Sequence, residues 1–249
     1  MLWSLLKNAE WKPFLELLSP SFFEVLPARL LLSQAKKLSG NYFDTAAFAA
    51  ARASRAEALG ASGLPIRLEP SLPSTAAMAT DGDSVLALYF HQVLSPQTVL
   101  LDHRSTAFRQ DERGLIWAPS PVFAQFELAF SSALAEMYHG FYEGDEARFS
   151  RGANALGLGK VEGVLRNQFG VGDQSAVRFS VREFQGRFQD IFRACKAARV
   201  QMHPDFVALG IGLATLYEHL EKLGGIFDVR AAFQRAVSLR TVRPPLTAS

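Results

Sequence analysis

The segment VRFSVREFQGRFQDIFRACKAAR, residues 177–199, is the clearest amphipathic helix in this chain of 249 residues. Apolar side chains recur in it every three or four positions and fall within roughly a third of a helical wheel. These residues are Val177, Val181, Phe184, Phe188, Ile191, Phe192 and Cys195. Basic residues cluster on the adjoining face, at Arg178, Arg182, Arg193 and Lys196. The pattern predicts a helix with one side in a hydrophobic core and a basic side that is either simply solvated or binds an acidic partner or anionic lipid.

Helical periodicity extends outward from this segment in both directions. From Pro121 onward it predicts helices only, over about 121–142, 144–156, 159–168, 176–199, 204–223 and 227–239. Toward the N-terminus it predicts helices over about 2–18, 20–40, 45–59 and 84–94. Asp44 is the expected cap of the third of these and Gly60 its expected stop. In the apolar helix near the C-terminus, Gly210 and Gly212 are expected to let another helix approach closely.

The centre of the chain has a different pattern. Short alternating or apolar runs bounded by proline and glycine predict strands around 64–68 and 98–102, and a hairpin over 106–117 with its turn near Gly114. The fold class predicted is therefore mainly α with a small β element (α+β). We expect residues 1–118 to combine N-terminal helices with this β element, 119–240 to form a helical bundle and 241–249 to be a flexible tail. One continuous domain is the alternative.

Composition excludes several classes of protein. Apolar residues make up 49% of the chain, and its 20 phenylalanines, which have no polar group, are expected in the core. A net charge of +2 gives no reason to expect a nucleic-acid partner. The single cysteine, Cys195, rules out an internal disulfide and cysteine-rich zinc sites, and favours a cytoplasmic location. The longest apolar run, 206–217, is too short to cross a membrane.

Catalytic and metal-binding motifs are missing or incomplete. The sequence has no phosphate-binding P-loop, no G-x-S-x-G element and no H-E-x-x-H zinc motif. Glu136 and His139 form one E-x-x-H pair, whereas a di-iron bundle needs two such pairs and two more glutamates. We therefore predict no bound metal and no cofactor.

Polar residues follow the apolar run TVLLD at 98–102. Asp102, His103 and Arg104 are consecutive, and strand ends are common places for chemistry, so a pocket enzyme is one hypothesis. Because consecutive residues point in different directions, at most two of the three would face one pocket. Asp102 is either a metal ligand or a residue that ends a strand and caps the next turn.

The C-terminal half resembles the helical region of AarF/UbiB-type atypical kinases, in SALAEMYHGFYEGDEARFSRGANALGL (132–158) and in residues 198–233. The resemblance implies that Asp102 stands at the magnesium-binding aspartate and Arg67 at the phosphate-pairing lysine. The chain departs from the family, because His103 and Arg104 replace Phe and Gly and no catalytic loop with its Asp and Asn is present. The resemblance therefore implies a shortened, pseudokinase-like relative, in which Asp102 caps a turn.

These observations favour a non-catalytic, mainly helical protein that binds a protein partner in the cytoplasm. A peripheral membrane protein that handles lipid or quinone is the first alternative, resting on the apolar N-terminal segments and the resemblance. An enzyme with a pocket at Asp102, His103, Arg104 and Arg67 is the second. The sequence does not predict an oligomeric state.

Overall fold

The computed structural model of the chain describes residues 36–38, 40, 42, 44–95, 98–169 and 176–241. The helix expected over 2–18, most of that over 20–40 and nearly all of the expected tail at 241–249 lie outside these residues. The mainly helical class with a small β element is confirmed. The helices are α1 (Thr45–Ser62), α2 (Gly82–Val93), α3 (Leu128–Glu143), α4 (Glu146–Ala155), α5 (Glu162–Phe169), α6 (Val181–Ala197), α7 (Phe206–Leu223) and α8 (Val229–Thr241).

The first described helix shows how the sequence sets helix ends. Asp44 caps α1, accepting a hydrogen bond from Ala47 N on its side chain at 2.9 Å, as its residue type predicts. The predicted stop at Gly60 is wrong. The helix continues to Ser62 and ends at Gly63, whose φ of 73° is the left-handed conformation that glycine adopts without strain.

The strands are short and form three small sheets. They are β1 (Ile66–Leu68), β2 (Ala77–Met78), β3 (Val99–Leu100), β4 (Phe108–Asp111), β5 (Gly114–Trp117), β6 (Phe123–Ala124), β7 (Ala176–Val177) and β8 (Phe227–Asp228). The largest sheet has the order β1-β5-β4-β2 and contains the predicted hairpin, β4–β5. The prediction that only helices follow Pro121 is wrong, because β6 pairs with β3 and β7 pairs with β8. Two-residue strands carry too little sequence pattern to be recognised without their partners.

Helix α2 lies at the centre of the molecule. Every residue of it except Asp83 is buried, and it packs most extensively against α8, with further contacts to α7, α3 and β3. The buried side chains form one cluster that runs from Ala51 to Ala236 and includes residues on both sides of residue 118. None of the described helices is long and apolar enough to cross a membrane.

Helices α3 and α4 form an antiparallel pair with very close backbones. A Cβ atom added at Gly140 would lie 2.2 Å from Phe149 N, and one added at Gly152 would lie 2.5 Å from Met137 N. Both distances are far below van der Waals contact with backbone that cannot move aside. Each helix therefore needs glycine where it meets the other.

Candidate functional site

Strand β3 leads directly to the polar residues that the sequence singles out. On one edge it pairs with β6, where Leu100 lies opposite Phe123. On the other it meets the buried side chain of Gln92 from α2. The Gln92 amide oxygen accepts a hydrogen bond from Leu100 N at 2.9 Å, and the amide nitrogen donates to Leu100 O at 3.3 Å. Gln92 thus takes the place of a neighbouring strand and fixes where the loop 101–105 begins.

The Asp102 carboxylate is engaged on both oxygens by the protein itself. The Arg104 guanidinium donates to it twice, from Nε to Oδ1 at 2.7 Å and from Nη2 to Oδ2 at 2.8 Å. Ser120 N donates to Oδ2 at 2.8 Å, and Arg104 N donates to Oδ1 at 3.3 Å, which caps a turn. Burial alone would raise the pKa of Asp102, but the hydrogen bonds from Arg104 and Ser120 outweigh it and lower that pKa. Asp102 is therefore an ionised carboxylate that fastens the loop.

The His103 ring is completely enclosed. It stacks on Trp117, with ring centroids 5.7 Å apart, and its Nε2 lies 2.9 Å from Gln92 Nε2. Because an amide nitrogen only donates, Nε2 accepts and the ring proton belongs on Nδ1, which meets no acceptor in good geometry within the described residues. Burial lowers the pKa of His103 to about 4, against smaller raising effects of the Asp102 carboxylate and the Leu101 carbonyl. The ring is neutral and closed off from solvent.

Helix α7 holds the same loop from the other side. The Thr215 hydroxyl accepts a hydrogen bond from His103 N at 3.2 Å and donates to Leu101 O at 2.7 Å. One turn further on, Nδ1 of the buried His219 lies 3.1 Å from His103 O and donates to it. Burial lowers the pKa of His219, which therefore stays neutral as well. The backbone N–H and the backbone carbonyl of His103 are therefore both hydrogen-bonded to side chains of α7.

A serine, a lysine and a glutamate also meet at this loop. Ser105 N donates to Glu218 Oε2 at 3.2 Å, and Lys222 Nζ donates to Ser105 Oγ at 3.2 Å. Lys222 also forms an ion pair with Glu218. Ser105 Oγ in turn donates to Glu218 Oε1 at 3.4 Å, so all three side chains are bonded to one another. The cluster joins the loop to α7.

Arg67 lies apart from the other three residues of the predicted pocket. It belongs to β1 in the four-stranded sheet and pairs with Asp111 on β4, Nη2 to Oδ2 at 2.5 Å, where both side chains are about one-third exposed. The structure brings Asp102 and Arg104 together as an ion pair, and it places the His103 ring in a dry environment of its own. It does not join Arg67 to any of them.

The E-x-x-H pair belongs to a network of ion pairs in which Arg148 bonds both Glu136 and Glu143. Glu136 Oε1 accepts a hydrogen bond from Arg148 Nε at 3.0 Å, and His139 Nδ1 lies 2.6 Å from Glu143 Oε1. Over the residues that the structure describes, no group of three or more His, Cys, Asp or Glu side chains is arranged to hold a metal ion.

The four predicted basic residues do not share one surface. Arg178 precedes α6 and donates to Gly224 O at 3.2 Å. Arg182, Arg193 and Lys196 lie on the solvent-exposed side of α6. Arg193 pairs with Asp190 at 2.5 Å, but the two side chains are more than half exposed, so the pair holds Arg193 only weakly.

Three exposed basic residues of α6 fall on one straight line along the helix, which we call the basic stripe, whereas the exposed Arg187 lies on another side of the helix. The members of the stripe, spaced by three or four positions, are Arg182, Gly186, Gln189, Arg193 and Lys196. At about 100° per residue they lie within roughly 80° of the helix circumference. The two acidic residues of α6, Glu183 and Asp190, lie to one side of it. The stripe therefore presents positive and neutral groups only.

A feature that sequence reasoning missed is a cavity of about 350 Å³ between α2, α3, α6 and α7, which we call the tyrosine cavity. Four of the five tyrosines of the chain line it: Tyr89, Tyr138, Tyr142 and Tyr217. Tyr89 and Tyr138 join their hydroxyls at 2.7 Å. Tyr142 and Tyr217 make no hydrogen bond through their hydroxyls with the described part of the chain. One signal for this cavity was present in the sequence, which has only five tyrosines beside 20 phenylalanines, so the position of each tyrosine hydroxyl is informative about polar sites in the core.

The four hydroxyls are close enough to influence one another. Burial raises the pKa of Tyr89, and the neighbouring Tyr138, Tyr142 and Tyr217 raise it further. Burial likewise raises the pKa of Tyr142, and it raises that of Tyr217 to about 12 although the guanidinium of Arg187 acts in the opposite direction. All four hydroxyls therefore stay protonated at neutral pH and can donate hydrogen bonds into the cavity.

Comparison with known proteins does not assign the chain to a family. No family model matches the sequence, and no curated protein matches it significantly. The resemblance to AarF/UbiB-type kinases therefore stays a hypothesis.

Proposed function

We propose that this protein acts by binding a partner protein with an acidic surface and that it catalyses no reaction. The observation that carries the proposal is the basic stripe of α6, which lines up Arg182, Arg193 and Lys196 on the exposed side of a regular helix. Exposed basic side chains three or four positions apart on one helix form a positive surface that complements acidic groups on a partner. Such acidic groups would be drawn to the row by charge.

A protein partner fits this helix better than a membrane surface does. A helix that lies in a membrane interface buries its apolar side among the lipids. The apolar residues of α6, among them Phe184, Phe188 and Phe192, are already buried in the core of this protein. Only the polar side of α6 is left for a partner, and it can make electrostatic contacts without inserting. The peripheral membrane alternative is therefore the weaker one.

The role of the strand-end residues supports a non-catalytic protein. A magnesium-binding aspartate must offer carboxylate oxygens to the metal. The oxygens of Asp102 accept hydrogen bonds from Arg104 and Ser120 instead. This fits the hypothesis of a shortened, pseudokinase-like relative of the atypical kinases, acting in the cytoplasm. It also counts against an enzyme pocket at this strand end.

Charge reversal with a matched control tests the proposal. The test variant carries Arg182→Glu and Arg193→Glu, and the control carries the same change of charge at two exposed sites away from α6, Arg113→Glu and Arg151→Glu. Tagged full-length protein is purified from its native host, bound proteins are identified by mass spectrometry, and each candidate is then titrated against the purified chain. We expect at least one acidic partner that binds the wild type and the control but loses at least tenfold in affinity for the test variant.

Two outcomes would contradict the proposal. If every partner binds the test variant and the control equally, the basic stripe is only a solvated surface. If the wild type floats with vesicles that contain phosphatidylserine, and the test variant does not, the partner is an anionic membrane. A salt titration separates specific docking from general charge attraction, since exposed charges are screened over about 8 Å at physiological ionic strength.

A further inference from the structure

We propose that the tyrosine cavity is a binding site for a small organic acid with an apolar body. The acidic group would accept hydrogen bonds from tyrosine hydroxyls near Arg187, and the body would lie against the apolar lining. This site is separate from the basic stripe and does not depend on the partner proposed above. At about 350 Å³ the cavity falls at the lower end of the range of small-molecule sites.

The tyrosine hydroxyls of the cavity carry hydrogens that no described group accepts, although Glu183 and Asn167 also line the cavity. In the Tyr89–Tyr138 pair one hydroxyl donates to the other, so one hydroxyl hydrogen of the pair is left over. The hydroxyls of Tyr142 and Tyr217 add two more hydrogens that no described group accepts. Tyr142 lines the cavity, so an occupant of the cavity can accept its hydroxyl hydrogen. Three donors around one space are satisfied together by a ligand with several acceptor oxygens.

The charges around the cavity favour an anion. Arg178, Arg187 and Glu183 are the charged residues in the described lining, so it carries one more positive than negative group. Arg187 approaches Glu183 only to 3.8 Å, which is too long for a hydrogen bond, and both side chains are about half exposed or more. Its guanidinium and the Glu183 carboxylate are both near enough to Tyr217 to influence the pKa of that hydroxyl, and the guanidinium has the larger effect of the two. A carboxylate between Arg187 and Tyr217 would therefore gain a charge partner and a donor.

The rest of the lining accounts for the apolar body. Aliphatic and aromatic side chains from several helices, including Leu86, Phe90, Leu216 and Val229, face the same space. The tyrosine rings add apolar surface, and the Tyr138 and Tyr142 rings stack with their planes 13° apart. Phenylalanines line the cavity together with the four tyrosines. An apolar lining with a few convergent polar groups is the usual composition of a ligand site.

Binding of a fluorescent aromatic anion, 8-anilinonaphthalene-1-sulfonate, to the folded full-length chain tests the site. We expect saturable binding to one site, competition by decanoate and much weaker competition by the neutral decanol. Tyr142→Phe removes one donor and keeps the ring, and Arg187→Gln removes the charge. Each is expected to weaken binding by about tenfold, since hydrogen bonds to charged groups have roughly this effect.

Two further variants separate loss of the site from loss of the fold. Ala176→Trp places a large ring at an exposed position of the lining and should abolish binding without disturbing the core. Tyr42→Phe makes the same chemical change as Tyr142→Phe outside the cavity and should leave binding unchanged. Equal binding by the wild type, Tyr142→Phe and Ala176→Trp would overturn the proposal, as would a folded wild type that binds neither the dye nor decanoate. Equal competition by decanol and decanoate would overturn the acidic class of ligand.

Discussion

Replacing Asp102 by alanine should cost the folded protein about 4 kcal/mol of its free energy of unfolding, because removing one partner of a buried ion pair is strongly destabilising. The Asp102 and Arg104 side chains are only 3% and 13% exposed, and the carboxylate accepts two hydrogen bonds from the Arg104 guanidinium. Its loss also leaves Ser120 N without an acceptor. A domain of this size loses roughly 3 °C in Tm per kcal/mol, so we expect a fall of about 12 °C.

The measurement is urea unfolding followed by circular dichroism at neutral pH, together with a thermal scan with and without ATP and magnesium. Asp111→Ala is the matched control, because Asp111 also pairs with an arginine but at the protein surface, and it should cause a far smaller loss. The wild type should show no stabilisation by the nucleotide. An Asp102→Ala protein that is as stable as the wild type would refute the structural role of the carboxylate. So would a stabilisation of the wild type by ATP and magnesium that disappears in the variant.

Three more changes should have equally specific effects. Burial holds the pKa of His103 at about 4, against 6.5 in the unfolded chain. Below pH 6.5 the unfolded chain takes up a proton that the folded protein does not, so the free energy of unfolding should fall by about 3 kcal/mol between pH 6.5 and pH 4. Urea unfolding across this range should show the loss in the wild type and much less of it in His103→Gln. Gly140→Ala should destabilise by more than 1 kcal/mol because of the clash with the facing helix, whereas Gly163→Ala, which meets nothing, should be neutral or stabilising in the same assay. Gln92→Leu should cost roughly 3 kcal/mol because it leaves Leu100 N and O unpaired, and hydrogen exchange at Leu100 N should speed up accordingly; unchanged protection there would contradict the pairing.

The helices that could be predicted are those in which apolar residues recur every three or four positions over a long segment. The α6 segment is the clearest case: Phe184, Phe188 and Phe192 were predicted to lie in the core, and all three are buried. The short strands after Pro121 could not be predicted, since β6, β7 and β8 have two residues each and exist only because a partner strand lies beside them.

Glycine shows where residue type alone misleads. Gly210 and Gly212 were expected to admit a neighbouring helix, yet a Cβ atom there would meet only the side chains of Phe188 and Leu101, at 3.7 and 3.6 Å. These are ordinary contact distances. The helical glycines of the described residues that close backbone contact requires are Gly140 and Gly152, on two helices that face each other. Which glycine meets a backbone depends on how helices pair, and a single sequence does not contain that pairing.

The candidate sites also differ in how much of each could be predicted from the sequence. The side chains of α6 could be placed on faces because one period relates them all. The tyrosine cavity could not be predicted, because its four tyrosines lie on α2, α3 and α7, which are distant in sequence and become adjacent only after folding. The ion pair of Asp102 with Arg104 is local in sequence. The further hydrogen bond to the Asp102 carboxylate comes from Ser120 N, in the connection between β5 and β6, which lies beside Asp102 only after folding.

The contacts between α7 and the loop 101–105 set a limit on how this chain can vary in length. Thr215, Glu218 and Lys222 reach the loop from successive turns of a single helix. One residue inserted after Thr215 would rotate all later side chains by about 100° and turn the other two away together. An insertion at the exposed turn between β4 and β5 would disturb none of them. Relatives of this protein should therefore differ in length at that turn and keep a constant number of residues through α7.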